Sequence, residues 1–121
     1  MKIKKRTELV KEDIKDINAK GVKFYPVITA RDGAPNFSLR LFEIESDGNT
    51  PFHAHGWEHE VYIIEGSGFI IGENKKLRIE KDDFVFVEPS ELHQFLAGEK
   101  GLKMICIVPN TGQSCTNVVD K

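Results

Sequence analysis

The stretch Gly48–Gly66, GNTPFHAHGWEHEVYIIEG, decides how the rest of the chain is read. It opens on a Gly-Asn-Thr-Pro turn signal, closes on Glu65-Gly66, and carries β-branched and aromatic residues between. Side chains on a strand alternate between its two faces. His53 and His55 therefore share one face of a strand expected over Pro51–His55. Gly56-Trp57-Glu58 makes a short bend, and His59 heads the next strand. There parity places His59, Val61 and Ile63 on one face and Glu60, Tyr62 and Ile64 on the other.

The same texture extends outward from this stretch. Short apolar runs alternate with Gly, Pro, Asn and Asp clusters, the pattern of an all-β sandwich or barrel. Strands are expected over Val22–Thr29, Phe37–Glu45, Pro51–His55, His59–Glu65, Gly68–Ile71, Lys76–Glu80, Phe84–Glu88, His93–Leu96 and Leu102–Val108. Turns fall at Asp32–Pro35, Ser46–Asn49, Gly72–Asn74 and Ala97–Lys100. Val61–Ile64 and Met104–Val108 are apolar in both registers, so their outer faces call for a second sheet or a second subunit. The organisation expected is an N-terminal arm over residues 1–20, a barrel over 21–109 and a tail over 110–121.

The balance of 17 Lys+Arg against 19 Asp+Glu over 121 residues excludes the basic footprint of a nucleic-acid or anionic-membrane binder. A hydrophobic fraction of 40% excludes a disordered chain. The two cysteines, Cys106 and Cys115, make no disulfide framework. No secretory apolar run opens the sequence and no segment is long enough to span a bilayer. A cytoplasmic setting with both thiols free is expected, Cys115 being an exposed thiol in a polar tail.

All four histidines, His53, His55, His59 and His93, fall at strand ends beside turns, and the first three span seven residues. Surface histidines would not cluster in this way, so a shared metal site is the expected reading. No thiolate lies near them in sequence. An all-imidazole set suits Mn, Fe, Ni, Cu or Zn. Neutral ligands leave the ion's charge uncompensated, so the site should attract anionic oxygen ligands.

Gly48–Gly66 resembles the first cupin motif, G(X)5HXH(X)3-4E(X)6G, with one residue fewer between Gly48 and His53. The spacing to Gly66 puts His59 where the motif has Glu; Glu60 fits the looser spacing and is the alternative third ligand. Asp82–His93 is similar to the second motif, G(X)5PXG(X)2H(X)3N. Here Asp82, Glu88, Ser90 and Ala97 replace family residues, Pro89 stands one position late, and His93 keeps its place. Together with Ala34–Phe37 and Phe86–His93, these strings resemble small bacterial four-histidine manganese cupins. That resemblance implies a compact double-stranded β-helix, jelly-roll-like. It also implies a homodimer, a divalent ion ringed by His53, His55, His59 and His93 with manganese first in order, and oxidative chemistry.

Four further residues are candidates for a substrate pocket. Phe95 shares parity with His93 and either walls the cavity or belongs to ordinary core. Cys106 is either an inward neighbour of the metal or a small buried apolar residue. Arg40 interrupts an apolar strand and either anchors a substrate carboxylate or is a solvent-facing or ion-paired residue. Trp57 packs the bend or rims the cavity. The expected function is a Mn- or Fe-dependent oxygenase acting on a small, anionic organic molecule. Non-redox isomerisation or decarboxylation, and non-catalytic binding, are the alternatives.

Overall fold

The computed structural model describes residues 1–110. Six strands, β1 (Lys20–Ile28), β2 (Phe37–Asn49), β3 (His59–Ile71), β4 (Lys76–Glu80), β5 (Phe84–Val87) and β6 (Gln94–Pro109), form one antiparallel sheet. The order is β1-β2-β6-β3-β4, with β5 added beside β3. Two short 3-10 turns, Arg6–Glu8 and Ala30–Asp32, are the helical elements among the described residues. No helix among them is long and apolar enough to cross a membrane. Cys115 and nearly all of the expected tail lie outside the described residues.

The all-β expectation holds, and the turns at Asp32–Pro35 and Gly72–Asn74 fall where Gly, Pro and Asn clusters put them, whereas Ser46–Asn49, expected as a turn, continues β2. Three differences are informative. The segment expected as strand Pro51–His55 is a loop that touches the sheet at one bridge, His53 to His93. The strands expected on either side of Gly66-Ser67 are one strand, β3, and those on either side of Ala97–Gly101 are one strand, β6. The reason lies in a pair of facing glycines. Gly66 and Gly101 both adopt positive φ, 89° and 80°, and a Cβ on Gly66 would lie 2.1 Å from the Gly101 carbonyl oxygen. Register shifts flank them in the β3–β6 ladder.

A one-residue slip exchanges the faces of a strand. His59, Val61 and Ile63 are buried before the slip in β3 and Gly68 after it; Phe95 and Ala97 are buried before the slip in β6, and Leu102, Met104, Cys106 and Val108 after it. The bulges keep hydrogen bonding continuous while the inward face changes parity. Sequence reading took the same glycines for strand ends.

Inward residues of β2, β3 and β6 build the core: Phe42, Ile44, Val61, Ile63, Phe95, Met104 and Val108, with Phe24 of β1 and Ile79 of β4. The outer face is less covered. Phe84, Phe86 and Ile107 are 81%, 58% and 39% exposed, and Phe37 on β2 is 66% exposed. Residues 1–19 are docked on the barrel. Lys4 pairs with Asp32, Arg6 with Glu43 and Glu12 with Arg31, while Glu12 N–H donates to the Phe24 carbonyl at 2.8 Å.

Candidate metal centre

The loop between β2 and β3 is stitched to the start of β6, and this places the histidines. Thr50 N–H donates to the Phe95 carbonyl at 3.0 Å, and Thr50 Oγ1 accepts the Phe95 N–H at 2.8 Å. His53 and His93 exchange main-chain hydrogen bonds of 3.1 and 2.9 Å, and Ser90 N–H donates to the His55 carbonyl at 2.7 Å. Two segments far apart in the chain thus deliver their imidazoles to one point. One donor nitrogen from each of His53, His55 and His93 lies within 4.8 Å of the others. The His59 ring, at the head of β3, is 4.4 Å from that of His55 and 5.1 Å from that of His93.

A carbonyl oxygen only accepts, so a ring nitrogen bonded to one carries the proton. His93 Nδ1 donates to the Glu91 carbonyl at 2.7 Å, and His55 Nδ1 donates to the Trp57 carbonyl at 3.2 Å. In both rings Nε2 is left as a bare lone pair facing the cluster, the form that binds a cation. His53 Nδ1 is buried with no partner. His59 differs. Its Nδ1 faces Arg40 Nη2 at 3.3 Å and Cys106 Sγ at 2.8 Å, while its Nε2 lies 2.6 Å from His55 Nε2. Because His55 Nε2 is bare and Arg40 only donates, the contact between the two Nε2 atoms is a hydrogen bond only with the His59 proton on Nε2. For His59 to bind a cation through Nε2 the proton must sit on Nδ1, where Cys106 Sγ is placed to accept it.

All four imidazoles are held neutral. Burial, then the neighbouring His93, His55 and Arg40, pushes His53 down to about 3. Burial, then His93, pushes His55 down to about 4. His59 and His93 are also lowered, chiefly by burial, with the Arg40 charge adding to both. Burial raises the Cys106 thiol against the opposing pull of Arg40.

Arg40 is 2% exposed and has no acid partner among the described residues. Its guanidinium donates to Cys106 Sγ at 3.1 Å and lies 5.3 Å from the Phe42 ring and 5.9 Å from the Phe24 ring, while its Nε is unpaired. A buried cation without a counter-ion is costly, and aromatic faces offset part of that cost.

Arg40, Phe95 and Cys106 line one apolar cavity of about 30 Å³ with His53, His59 and His93. Trp57 is not in that wall; its indole stacks on His55 at 4.3 Å and 6°. Glu60 is exposed, on the face opposite His59, beside Phe37 and Ile107. Five lining residues are not among the candidates from sequence: Phe42, Pro51 and Met104, which read as ordinary strand residues, Thr50, whose part is a stitch to Phe95, and Ile14 from the arm, whose isolated apolar side chain signals nothing without the fold.

Two preset lone pairs, an orphaned buried nitrogen and a donor set without carboxylate or thiolate ligands together fit a divalent cation of borderline softness. What the fold and this cluster define is a small antiparallel β protein organised around a histidine pocket able to hold such an ion. The Cupin domain family model matches residues 40–108, more than half of the chain. The protein belongs to the cupin family.

Among solved structures, the polyketide cyclase RemF from Streptomyces resistomycificus is similar with a TM-score of 0.84 and 30% identity, over 90% of this chain and 79% of that one. A predicted oxalate decarboxylase from Thermotoga maritima has a TM-score of 0.78 and 18% identity over 90% of this chain and 99% of that one. Ectoine synthase from P. lautus has a TM-score of 0.73 and 24% identity over 91% and 78%. The last two show likeness of fold alone. A search of the curated proteins finds no match.

Proposed function

We propose that this protein is a metal-dependent enzyme of the oxygenase type acting on a small anionic organic molecule. His53, His55, His93 and His59 are its metal ligands, with manganese the first choice of ion and iron the second. The observation that carries this reading is the charge pattern of the pocket: neutral imidazoles and a buried, acid-free Arg40 line the same apolar space. A dication there adds positive charge to positive charge, and an anionic ligand is the natural neutraliser. The ion would supply Lewis acidity and a redox couple. The protein's own groups do the rest. Arg40 draws a carboxylate or enolate oxygen inward, Phe42 and Phe95 exclude water, and the Glu91 and Trp57 carbonyls hold the ligating rings.

Elemental analysis of protein purified without a His tag, with oxygen uptake followed on the same sample, tests the reading. Manganese or iron near one per chain and substrate-dependent uptake are expected. A metal-free protein, or one loaded with either ion that takes up no oxygen across a panel of small carboxylates, would overturn it.

A second reading, metal-assisted closure of a carbonyl chain without redox change, is favoured by the 30% identity to a polyketide cyclase over 90% of this chain. Turnover that persists without oxygen selects it. The exposed Phe84, Phe86, Phe37 and Ile107 support a further reading, that a second copy of the chain covers this outer face. Light scattering at micromolar concentration should then give twice the chain mass, and Phe86→Glu should return it to one.

A further inference from the structure

The geometry points to Ile14 as the residue that sets which ligands the cavity admits: those of two or three heavy atoms enter past it, and bulkier anions enter only when it moves aside. The inference rests on the reading of this cavity as a ligand site. Ile14 belongs to the arm, yet it lines the same cavity as Arg40, His53, His93 and Phe95 and packs on the core. With Ile14 seated, the cavity measures about 30 Å³, room for about two water-sized groups. A carboxylate with an organic body does not fit that space.

The segment that carries Ile14 is fastened only at its ends. Glu12 is joined to β1 by one main-chain bond to Phe24, 2.8 Å, and to the Ala30–Asp32 turn by the Arg31 ion pair, 2.9 Å. Asn18 is held by Asn49 Nδ2, which donates to its carbonyl at 2.8 Å. Between them no main-chain hydrogen bond ties Asp13, Ile14 or Lys15 to the barrel. Ile17 is 97% exposed, so Ile14 is the apolar anchor of this crossing. Few bonds and one side chain in the pocket make a strap that lifts at little cost, and the bulk of that side chain sets the size limit.

Cys106 lines the same cavity and is 2% exposed, so it reports access without any metal. In metal-free Cys115→Ser protein, its oxidation by hydrogen peroxide, a reagent of two heavy atoms, should be nearly unchanged by Ile14→Ala. Reaction with the aromatic anion dithiobis-nitrobenzoate should speed up by at least about tenfold, the scale on which apolar pockets sort ligands by a few carbons. Ile14→Leu should behave as the parent. Asn49→Ala, which frees one end of the strap, should shift the ratio of the two rates the same way by less. A ratio unmoved by Ile14→Ala, or both rates rising together as in general loosening, would overturn the inference.

A second arm uses cobalt-loaded protein and its visible spectrum. Ile14→Ala should tighten benzoate by about tenfold and leave formate alone. A moved thiol ratio with no spectral response to either anion would sink the metal-site reading and leave Ile14 as the size limit. Formate binding with an unmoved ratio would sink the role of Ile14 alone.

Discussion

The loop side and the strand side of the histidine cluster are built differently. On the loop side, His53, His55 and His93 sit between β2 and β3 and at the entry to β6, and His55 and His93 have their Nδ1 protons committed to main-chain carbonyls. On the strand side, His59 heads a continuous strand with its Nδ1 facing side chains, one of them a cation. Main-chain partners cannot be removed by substitution and hold their tautomer steadily. Side-chain partners can drift, and they tune. The loop side thus presets the His55 and His93 lone pairs, while the strand side leaves the His59 tautomer to its side-chain neighbours.

The largest effect that could break this contrast comes from removing a ring. His93→Ala should lower manganese affinity by at least about 100-fold, beyond the range of outer partners, and His59→Ala by about tenfold. Chelator competition measures both. Equal losses would mean that the His59 ring is as preset as those on the loop side.

Next in size is Arg40→Met, which removes a buried cation lacking an acid partner. Stability of the metal-free protein should rise by about 1 kcal/mol, read from the urea midpoint, while affinity for formate on the cobalt form falls. A fall in stability would show that the guanidinium's contacts with Cys106 and the Phe42 ring outweigh its desolvation.

Acid comes third. The imidazoles are lowered in the fold, His55 to about 4 and His53 to about 3, so the unfolded chain takes up protons first. Their stabilisation is complete above about pH 6.5, the unfolded histidine value. It drains away as pH falls toward those two values, at about 1.4 kcal/mol per pH unit for each proton difference. Urea midpoints of the metal-free protein should drop between pH 7 and 5, and a flat profile would contradict the buried neutral cluster.

The smallest effect sharpens the picture of the strand side. Cys106→Ala should weaken manganese binding by a few-fold, about 3-fold, and by nothing further once His59 is Ala, since its influence runs through that ring. Additive losses would detach Cys106 from His59.

Much of this was legible from residues alone. Period-two parity put His59, Val61 and Ile63 inward and Glu60 outward, and the histidine spacing marked one site. What stayed hidden is what linear reading cannot hold. The bulges at Gly66 and Gly101 reverse parity inside a strand, and a glycine there looks like a strand end. Pro51–His55 has the composition of a strand but spends its main-chain bonds at scattered points, on Ser90 and on His93 just ahead of β6. Arg40 faces inward against the rule that buried charges find partners. Ile14 acquires a place only when the arm folds onto the pocket.

The bridge between His53 and His93 also bears on how the chain reaches its fold. In an unfolded chain His53 and His55 are near each other at all times, whereas His93 joins them only after an intervening hairpin region has closed. An ion picked up early by the local pair would lower the entropic barrier to that closure, and the same ion would slow its reopening. Refolding with and without manganese would then differ in rate as well as in end point, with the metal acting as a latch between chain segments.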